Sequence, residues 1–467
     1  MTRNENTLFA GFSRVDITPP LGVPMAGHAN ADKRLTSEIL DPLEINTVAV
    51  RCGDKTALLM SADLIYIKRA QSDPIRRLVS QETGIPYEAI FIACTHTHTG
   101  PCPAGYSDLD EKFPIIAQYH QMLTARFVDG AKLAIADLKP AKMGYGVAKA
   151  ENISFIRRYH MKDGSIRTNP GYHNPEIVGP VSEADTRVNV LRFVREGGKE
   201  IAVANFGVHA DMLRGVAKVS ADYPRFVRET VEAVMPAHCV FFTGAQGDLN
   251  HADFKSVKPK DDPFVLANDE VDRGYNFTPY INAKHMGRAI AGALFQVYGD
   301  VQWVDVDTVA YGNLECVTPT NMPDPKDLPR AREIIALDKA GKTDQIIPGL
   351  TEMDKNMLTT VRAEAYRMLA FEHGPETLSL PVSAIRIGPA VFVGIPGEPF
   401  NNIGVGLKEN SPFEITLPCC LTNGGEGYYP MRDSYDQGGY EARSSRFKAG
   451  VAENLISTGT ELMKTLV

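Results

Sequence analysis

The sequence predicts an α/β protein, with a single large domain in which mixed β-sheets are flanked by helices. Three observations support this prediction. Apolar strand-like segments alternate along the chain with segments of helical periodicity. Several of these strands end in a polar cluster that contains glycine. No internal repeat or low-complexity linker divides the 467 residues, so we expect one catalytic-type domain over residues 8–467.

The first part of the chain predicts a hairpin followed by a crossover unit. Within residues 42–66, β-branched runs flank a Gly-Asp dipeptide, which indicates two strands joined by a turn. A helix should follow, with Asp73 as its N-cap, Pro74 as its first helical residue and Gly84 as its stop. The apolar segment 89–94 then predicts a strand buried on both faces.

The middle of the chain repeats this order of elements. Residues 115–138 have helical apolar spacing, and residues 187–210 predict a hairpin around a Gly-Gly turn. A helix over 223–236 should lead to a strand that ends in a polar cluster within 239–250. Strand ends of this kind lie at the usual ligand-binding edge of an open α/β sheet.

The last third begins with a charged region and then returns to strands. Residues 317–378 are rich in Lys, Asp, Glu and Pro and contain two helical patterns, which predicts a helical insertion. The sequence leaves open whether this insertion is a lid or a packing subdomain. Residues 378–400 predict strands whose final Pro-Gly turn places Glu398 at a third apolar strand end.

Composition excludes several classes of partner. The net charge of −8 and the absence of a Lys/Arg run argue against nucleic acid. The sequence contains no stretch of about 18 apolar residues that would predict a membrane span. The first residues given lack the apolar core that is typical of a secretory signal. The seven cysteines are scattered without a CxxC pair, which suits a reducing compartment. We expect a cytoplasmic protein with a small-molecule substrate and no membrane partner; homo-oligomerisation is left open.

The segment THTHTGP, residues 95–101, carries the strongest chemical signal. If it continues the strand, His96 and His98 point to one face about 7 Å apart. His209 also follows an apolar strand, and neutral imidazole is the commonest side-chain ligand of zinc. The alternative is that these histidines are half-buried and bonded to the backbone.

These features occur together with other motifs in a pattern that resembles the N-terminal catalytic domain of the neutral ceramidases, which are zinc-dependent amidases. The resemblance covers about residues 10–460. It rests on AGFSRVDITPPLGVPMAGH, THTHTGP, NFGVHA, SADYPRF, GAQGDLN, PGEPF and NGGEGYYPMRDSYDQGGYE, in chain order.

The resemblance implies one Zn²⁺ ion held by His96, His209, Glu398 and Tyr428, with Tyr429 as the alternative to Tyr428. Two neutral imidazoles and one carboxylate leave the ion with net positive charge, which lowers the pKa of a bound water toward about 7. Mn²⁺ and Fe²⁺ are not excluded.

The resemblance also implies catalytic residues. His98 is expected to take a proton from the water or to stabilise the oxyanion. Arg157 matches the family arginine near the site, although it could equally be a surface arginine. Asn250 stands where ceramidases have a serine, and an amide cannot act as a nucleophile of the serine kind.

Departures from the family bear on the substrate. The family serine is absent, and the C-terminal immunoglobulin-like domain of exported ceramidases is expected to be absent as well. We therefore expect attack by zinc-bound hydroxide on a carbonyl of a small polar molecule: an amide, a lactone or the C–C bond of a cyclic diketone such as an oxidised cyclitol. The alternatives are a ceramidase and a non-catalytic metal-binding protein.

Overall fold

The computed structural model describes residues 7–28, 31–105, 107–171, 174–213, 216–254, 278–349 and 355–467. The strands are β1 (Leu8–Asp16), β2 (Glu38–Ile39), β3 (Glu44–Cys52), β4 (Lys55–Ala62), β5 (Ile90–Cys94), β6 (Lys139–Lys149), β7 (Phe155–Ile156), β8 (Arg158–Met161), β9 (Ile166–Thr168), β10 (Ile177–Pro180), β11 (Arg187–Arg195), β12 (Glu200–Phe206), β13 (Lys218–Val219), β14 (Ala237–Thr243), β15 (Leu249–Asn250), β16 (Gln302–Val304), β17 (Val309–Pro319), β18 (Thr377–Ile387), β19 (Ala390–Gly394), β20 (Glu398–Pro399), β21 (Ile415–Cys419) and β22 (Tyr428–Tyr429). The helices are α1 (Arg69–Thr83), α2 (Ser107–Lys112), α3 (Ile115–Ala136), α4 (Asp222–Val234), α5 (Thr278–Tyr298), α6 (Leu328–Lys339), α7 (Lys355–Ala370), α8 (Asn401–Glu409), α9 (Arg432–Gln437), α10 (Tyr440–Ser444) and α11 (Val451–Lys464).

The larger sheet is mixed and has nine strands. Its order is β14-β12-β11-β6-β1-β3-β4-β5, with β16 also paired to β6. The pairs β4/β5 and β12/β14 are parallel, and both lie at the ends of this order. The predicted hairpins β3/β4 and β11/β12 are antiparallel, as expected. The crossover unit β4-α1-β5 is also confirmed.

The two ends of this sheet lie against each other. The Ser61 hydroxyl on β4 donates a hydrogen bond to the carbonyl of Phe241 on β14 at 2.5 Å. The Thr243 hydroxyl at the end of β14 donates to the carbonyl of Thr95 at 3.0 Å. The C-terminal ends of β5 and β14 are therefore neighbours.

A second sheet, with the order β17-β18-β19-β21, joins at the same place. Its pair β19/β21 is parallel. The N–H of Cys420, just after β21, donates to the carbonyl of Thr243 at 3.0 Å, and Thr422 bridges Ala93 of β5. Three parallel strand pairs thus end in one region, so the residues that follow these strands are brought together.

Apolar side chains fill the layers between the sheets and the helices. The largest buried cluster includes residues of β1, β3, β4 and β5 together with α3. A second surrounds α4 and α5, and a third lies between the second sheet and α11. The helices predicted between residues 317 and 378 are α6 and α7, which pack on each other; their assignment as an insertion stays a prediction. No helix in the described ranges is both long and apolar enough to cross a membrane.

The predicted start of α1 is wrong. The helix begins at Arg69, and Pro74 lies inside it. The Asp73 carboxylate accepts hydrogen bonds from the Tyr87 hydroxyl at 2.6 Å and from Arg69, so it is engaged by side chains rather than by the backbone of a helix end. The predicted stop is confirmed, since Gly84 caps the helix in the left-handed conformation with φ 73°.

Candidate metal centre

Four predicted ligand and catalytic residues converge where the parallel strand pairs end. His96 and His98 follow β5, His209 follows β12, and Glu398 begins β20, four residues after the end of β19. The Oε2 atom of Glu398 lies 3.2 Å from Nε2 of His96 and 3.3 Å from Nε2 of His209. The Nε2 atoms of His96 and His98 are 3.2 Å apart. All four side chains are buried, with at most 9% of any residue exposed.

The two histidines converge for a different reason from the one the sequence suggested. Strand β5 ends at Cys94, and His96 adopts a left-handed backbone with φ 70°. The backbone N–H of His96 donates to the carbonyl of Leu64, and that of His98 donates to the carbonyl of Ala210. The segment is therefore a fixed bend between neighbouring loops, and strand alternation does not explain the convergence.

Hydrogen bonds at the Nδ1 atoms define the tautomers of the three histidines. A carbonyl oxygen can only accept, so each Nδ1 must carry the proton and donate it. The partners are Ile65 for His96 at 2.8 Å, Gly27 for His98 at 3.0 Å, and Gln246 and Leu249 for His209 at 2.9 and 3.1 Å. When the rings are neutral, each Nε2 presents a lone pair to the others and to Glu398.

The electrostatic environment favours this protonation state. Burial lowers the pKa of His98 well below its ordinary value. Burial and the nearby Arg157 lower the pKa of His209 to about 4. Burial opposes the charge of Glu398, but His96 and His209 hold the pKa of that carboxyl well below its usual range. At neutral pH the site therefore contains neutral imidazoles at His98 and His209 and a carboxylate at Glu398.

These donor atoms fit a divalent metal ion. Three imidazole nitrogens, from His96, His98 and His209, lie within 4.8 Å of one another. With the Glu398 oxygen they form a set of four donor atoms that face one another. When the rings are neutral, the lone pairs of these atoms repel one another unless a cation occupies the centre. The Nδ1 hydrogen bonds to carbonyls are also the contacts that orient metal-bound histidines in proteins.

Tyr428 rather than Tyr429 borders this centre. Strands β20 and β22 pair in parallel, which places Tyr428 beside Glu398. The Tyr428 ring is nearly parallel to the His209 ring, with centroids 6.5 Å apart. Burial and Glu398 raise the pKa of Tyr428 well above its usual value. Tyr429 is fully buried in the third apolar cluster, and its hydroxyl donates to the carbonyl of Pro396 at 2.9 Å.

Arg157 also lies at the centre. Its Nε donates to the buried Glu441 carboxylate at 2.6 Å, and its Nη1 approaches Nε2 of His209 at 3.4 Å. Its Nη2 is buried without a hydrogen-bond partner among the described residues. Gln246 is fully buried, its Nε2 lies 3.5 Å from Glu398, and its Oε1 lacks a partner in the described part of the chain. Both of these buried atoms therefore have unused hydrogen-bonding capacity.

Asn250 lies next to the centre, with its side chain engaged elsewhere. It belongs to β15, which pairs with β7, the strand that precedes Arg157. Its side-chain amide donates to Oδ1 of Asn169 at 2.9 Å. The preceding residue, Leu249, accepts the Nδ1 hydrogen of His209. The structure therefore connects Asn250 to the centre through its backbone.

Some residues of the site carried no individual signal in the sequence. Gln246 lies in the motif GAQGDLN and Asp211 directly follows NFGVHA, so position after an apolar strand was the signal that could have selected them. His28 is the last residue of the motif AGFSRVDITPPLGVPMAGH, far from the other site residues in sequence. Its Nε2 is 2.9 Å from Oδ1 of Asp211, and its ring meets the His98 ring edge-on at 5.3 Å.

The site is thus a candidate metal centre at the strand ends of a mixed α/β domain. The chain is similar in structure to neutral ceramidase from Pseudomonas aeruginosa, with a TM-score of 0.70, 17% identity, and coverage of 99% of this chain and 75% of that one. It is also similar to a ceramidase complexed with C2, with a TM-score of 0.71, 16% identity, and coverage of 99% and 76%. The fold expected from the sequence motifs, a neutral-ceramidase-like α/β fold, is therefore confirmed.

Neither a scan of protein-family models nor a search of curated proteins gives a match.

Proposed function

We propose that this protein is a zinc-dependent hydrolase that cleaves a bond at a carbonyl carbon of a small polar substrate. One observation carries the proposal: the Nε2 atoms of His96 and His209 both lie within 3.3 Å of the Glu398 carboxylate. Tyr428 completes the proposed ligand set. A divalent ion bound there supplies a Lewis acid that polarises a carbonyl and makes a water molecule more acidic.

Two other residues of the site have proposed roles: His98 transfers a proton, and Arg157 binds the substrate. His98 takes a proton at Nε2, because its Nδ1 is already committed to the Gly27 carbonyl at 3.0 Å. The resulting imidazolium lies beside the ligand His96, with the two Nε2 atoms 3.2 Å apart, so it can return the proton to the leaving group. Arg157 donates from its open Nη2 to the substrate oxygen that gains negative charge.

The proposed substrates are amides, lactones and cyclic diketones, such as an oxidised cyclitol. The open hydrogen-bonding atoms of Arg157 and Gln246 support a substrate that offers both an acceptor and a donor near the scissile carbonyl. Asn250 lacks a nucleophilic hydroxyl, so the proposal uses water rather than a covalent route through that position. The cytoplasm is the proposed compartment. All seven cysteines are buried thiols, which agrees with a reducing environment.

The test is a chelation experiment on purified protein. We expect wild type to hydrolyse members of a lactone, amide and cyclic 1,3-diketone panel, to lose this activity with a chelator and to regain it with Zn²⁺. His96→Ala should bind no zinc and show no turnover while its unfolding temperature shows that it is folded. Turnover that survives complete metal removal would sink the proposal.

The fold similarity favours a second candidate, a ceramidase that cleaves the N-acyl amide of ceramide. A fluorescent short-chain ceramide distinguishes it. Chelator-sensitive release of the fatty acid by wild type, absent in His96→Ala, would establish this activity, and no release at high enzyme concentration would reject it. A protein that binds zinc but hydrolyses neither the panel of small substrates nor the fluorescent ceramide would instead be a non-catalytic metal-binding protein.

A further inference from the structure

A second polar pair lies beside the candidate metal centre and belongs to none of the roles above. Nε2 of His28 is 2.9 Å from Oδ1 of Asp211. The same Oδ1 is 3.8 Å from Nδ1 of His98. Because Nδ1 and Nε2 lie on opposite sides of an imidazole, the pair is separated from the Glu398 side of the centre by the width of one ring.

The loop that carries Asp211 is held by the surrounding structure. The buried Asp222 carboxylate accepts the backbone N–H groups of Met212 at 2.9 Å and Leu213 at 3.2 Å. On the other side, the N–H of His98 donates to the carbonyl of Ala210 at 3.0 Å. The Asp211 carboxylate is therefore pre-positioned, which reduces the entropic cost of binding a ligand there.

The pair is more open to solvent than the centre itself. The side chains of Asp211 and His28 are 28% and 32% exposed, whereas that of His96 is 2% exposed. A carboxylate has about four acceptor positions, and His28 uses one of them. No described residue outside the imidazoles of His28 and His98 lies within ion-pair distance of Asp211. The carboxylate can accept further hydrogen bonds, and its charge repels an anionic group.

We propose that Asp211, oriented by His28, binds a hydroxyl group of the substrate, which makes the substrate an uncharged polyhydroxylated carbonyl compound. Its carbonyl lies at the centre near Glu398 and Arg157, and a hydroxyl a few bonds away reaches across His98 to Asp211. This inference rests on the proposed function and narrows it. Among the proposed substrates it selects lactones and cyclic diketones derived from polyols over simple amides.

The test measures binding of product-like compounds to zinc-loaded protein by calorimetry. The probes are myo-inositol as a neutral cyclic polyol, gluconate as an anionic polyol and cyclohexanol as a compound without adjacent hydroxyls. The proteins are wild type, Asp211→Asn, His28→Phe and the matched control Asp163→Asn, whose carboxylate is exposed and pairs with Arg167.

We expect myo-inositol to bind wild type and Asp163→Asn with a millimolar dissociation constant. Its affinity for Asp211→Asn should be lower by about tenfold or more, because a hydrogen bond to a charged group is lost. His28→Phe should weaken binding by a smaller factor. Gluconate should bind better to Asp211→Asn than to wild type, and cyclohexanol should bind to neither.

The zinc content of each protein separates the two proposals. If wild type retains no zinc, the proposed function fails. If zinc is retained but myo-inositol does not bind wild type, or binds Asp211→Asn equally well, the metal centre stands and the hydroxyl-binding role of Asp211 is overturned.

Discussion

Nε2 of His96 lies 3.2 Å from Nε2 of His98, although the backbone between them is bent by a left-handed residue. Both rings donate from Nδ1 to a carbonyl, so each neutral ring presents the lone pair of its Nε2 toward the other. Geometry alone makes either histidine a possible ligand. The resemblance to the neutral ceramidases assigns metal binding to His96 and proton transfer to His98.

This division predicts different outcomes for two alanine variants. His96→Ala should lose the metal, because Glu398 and His209 would keep only part of the donor set. His98→Ala should retain the metal and lose about 10²- to 10⁴-fold in turnover, the usual contribution of a positioned general base. Metal content by mass spectrometry and turnover check both. His373→Ala, at a 91% exposed side chain, is the control. Loss of metal from both variants would contradict the division.

Gly27 should be essential to the position of His98. It has φ +98°, and an added Cβ would lie 2.7 Å from three atoms of the His98 side chain. Gly27→Ala should therefore displace the His98 ring and reduce turnover at least tenfold, with metal content unchanged. Gly22→Ala is the matched control, because Gly22 has φ +86° and nothing within 4 Å of an added Cβ.

Both glycine variants carry the strain of a left-handed alanine, about 1–2 kcal/mol. Equal turnover in the two would show that strain alone, and not contact with His98, explains the result.

The buried pair of Arg157 and Glu441 should contribute to stability as well as to turnover. The two side chains are 8% and 0% exposed, and their closest atoms are 2.6 Å apart. Glu441→Ala should lower the free energy of unfolding by about 3–5 kcal/mol, since it leaves a buried charge unpaired. Chemical denaturation measures this loss.

The double variant Arg157→Met with Glu441→Leu tests the two roles separately. It should recover most of the stability, because no unpaired charge remains, and turnover should stay low. Glu333→Ala, in an exposed pair with Arg330, is the control and should change stability by less than about 1 kcal/mol. Full turnover in the double variant would remove Arg157 from the chemistry.

His238, remote from the centre, should make stability depend on pH. Its ring stacks on Phe12 with centroids 4.2 Å apart, and burial lowers its pKa from 6.5 to about 4. The folded protein thus binds this proton less tightly than the unfolded chain. The stabilisation is complete above pH 6.5 and is lost as the pH falls toward 4.

After a discount for the partial exposure of the ring, we expect wild type to lose about 1 kcal/mol between pH 7 and pH 5 through this group. The difference in unfolding free energy between wild type and His238→Phe, measured at both pH values, isolates the contribution of the His238 ring. An unchanged difference would contradict the prediction.

Several parts of the fold and the site could be predicted from the sequence because they depend on local signals. Strand alternation and the Gly-Asp and Gly-Gly turns predicted the hairpins. The resemblance to the neutral ceramidases grouped His96, His209 and Glu398, each of which was predicted to follow an apolar strand. Those strands belong to parallel pairs in the structure, and contacts between the two ends of the large sheet and the second sheet bring their C-terminal ends together.

Other features depend on contacts that no local pattern encodes. The left-handed backbone of His96 is fixed by Leu64 and Ile65, more than 30 residues earlier, since its N–H and Nδ1 donate to their carbonyls. Asp73 was predicted to cap a helix, but the Tyr87 hydroxyl binds its carboxylate. The pairing of His28 with Asp211 joins residues 183 positions apart.

The central claim is that His96, His209 and Glu398 hold a zinc ion. X-ray absorption at the zinc edge of the zinc-loaded protein tests it most directly, because the seven buried thiols are the competing ligands. We predict about one ion per chain with imidazole and oxygen ligands at about 2.0–2.2 Å. A spectrum dominated by sulfur at about 2.3 Å, or no zinc retained after gel filtration, would contradict the claim.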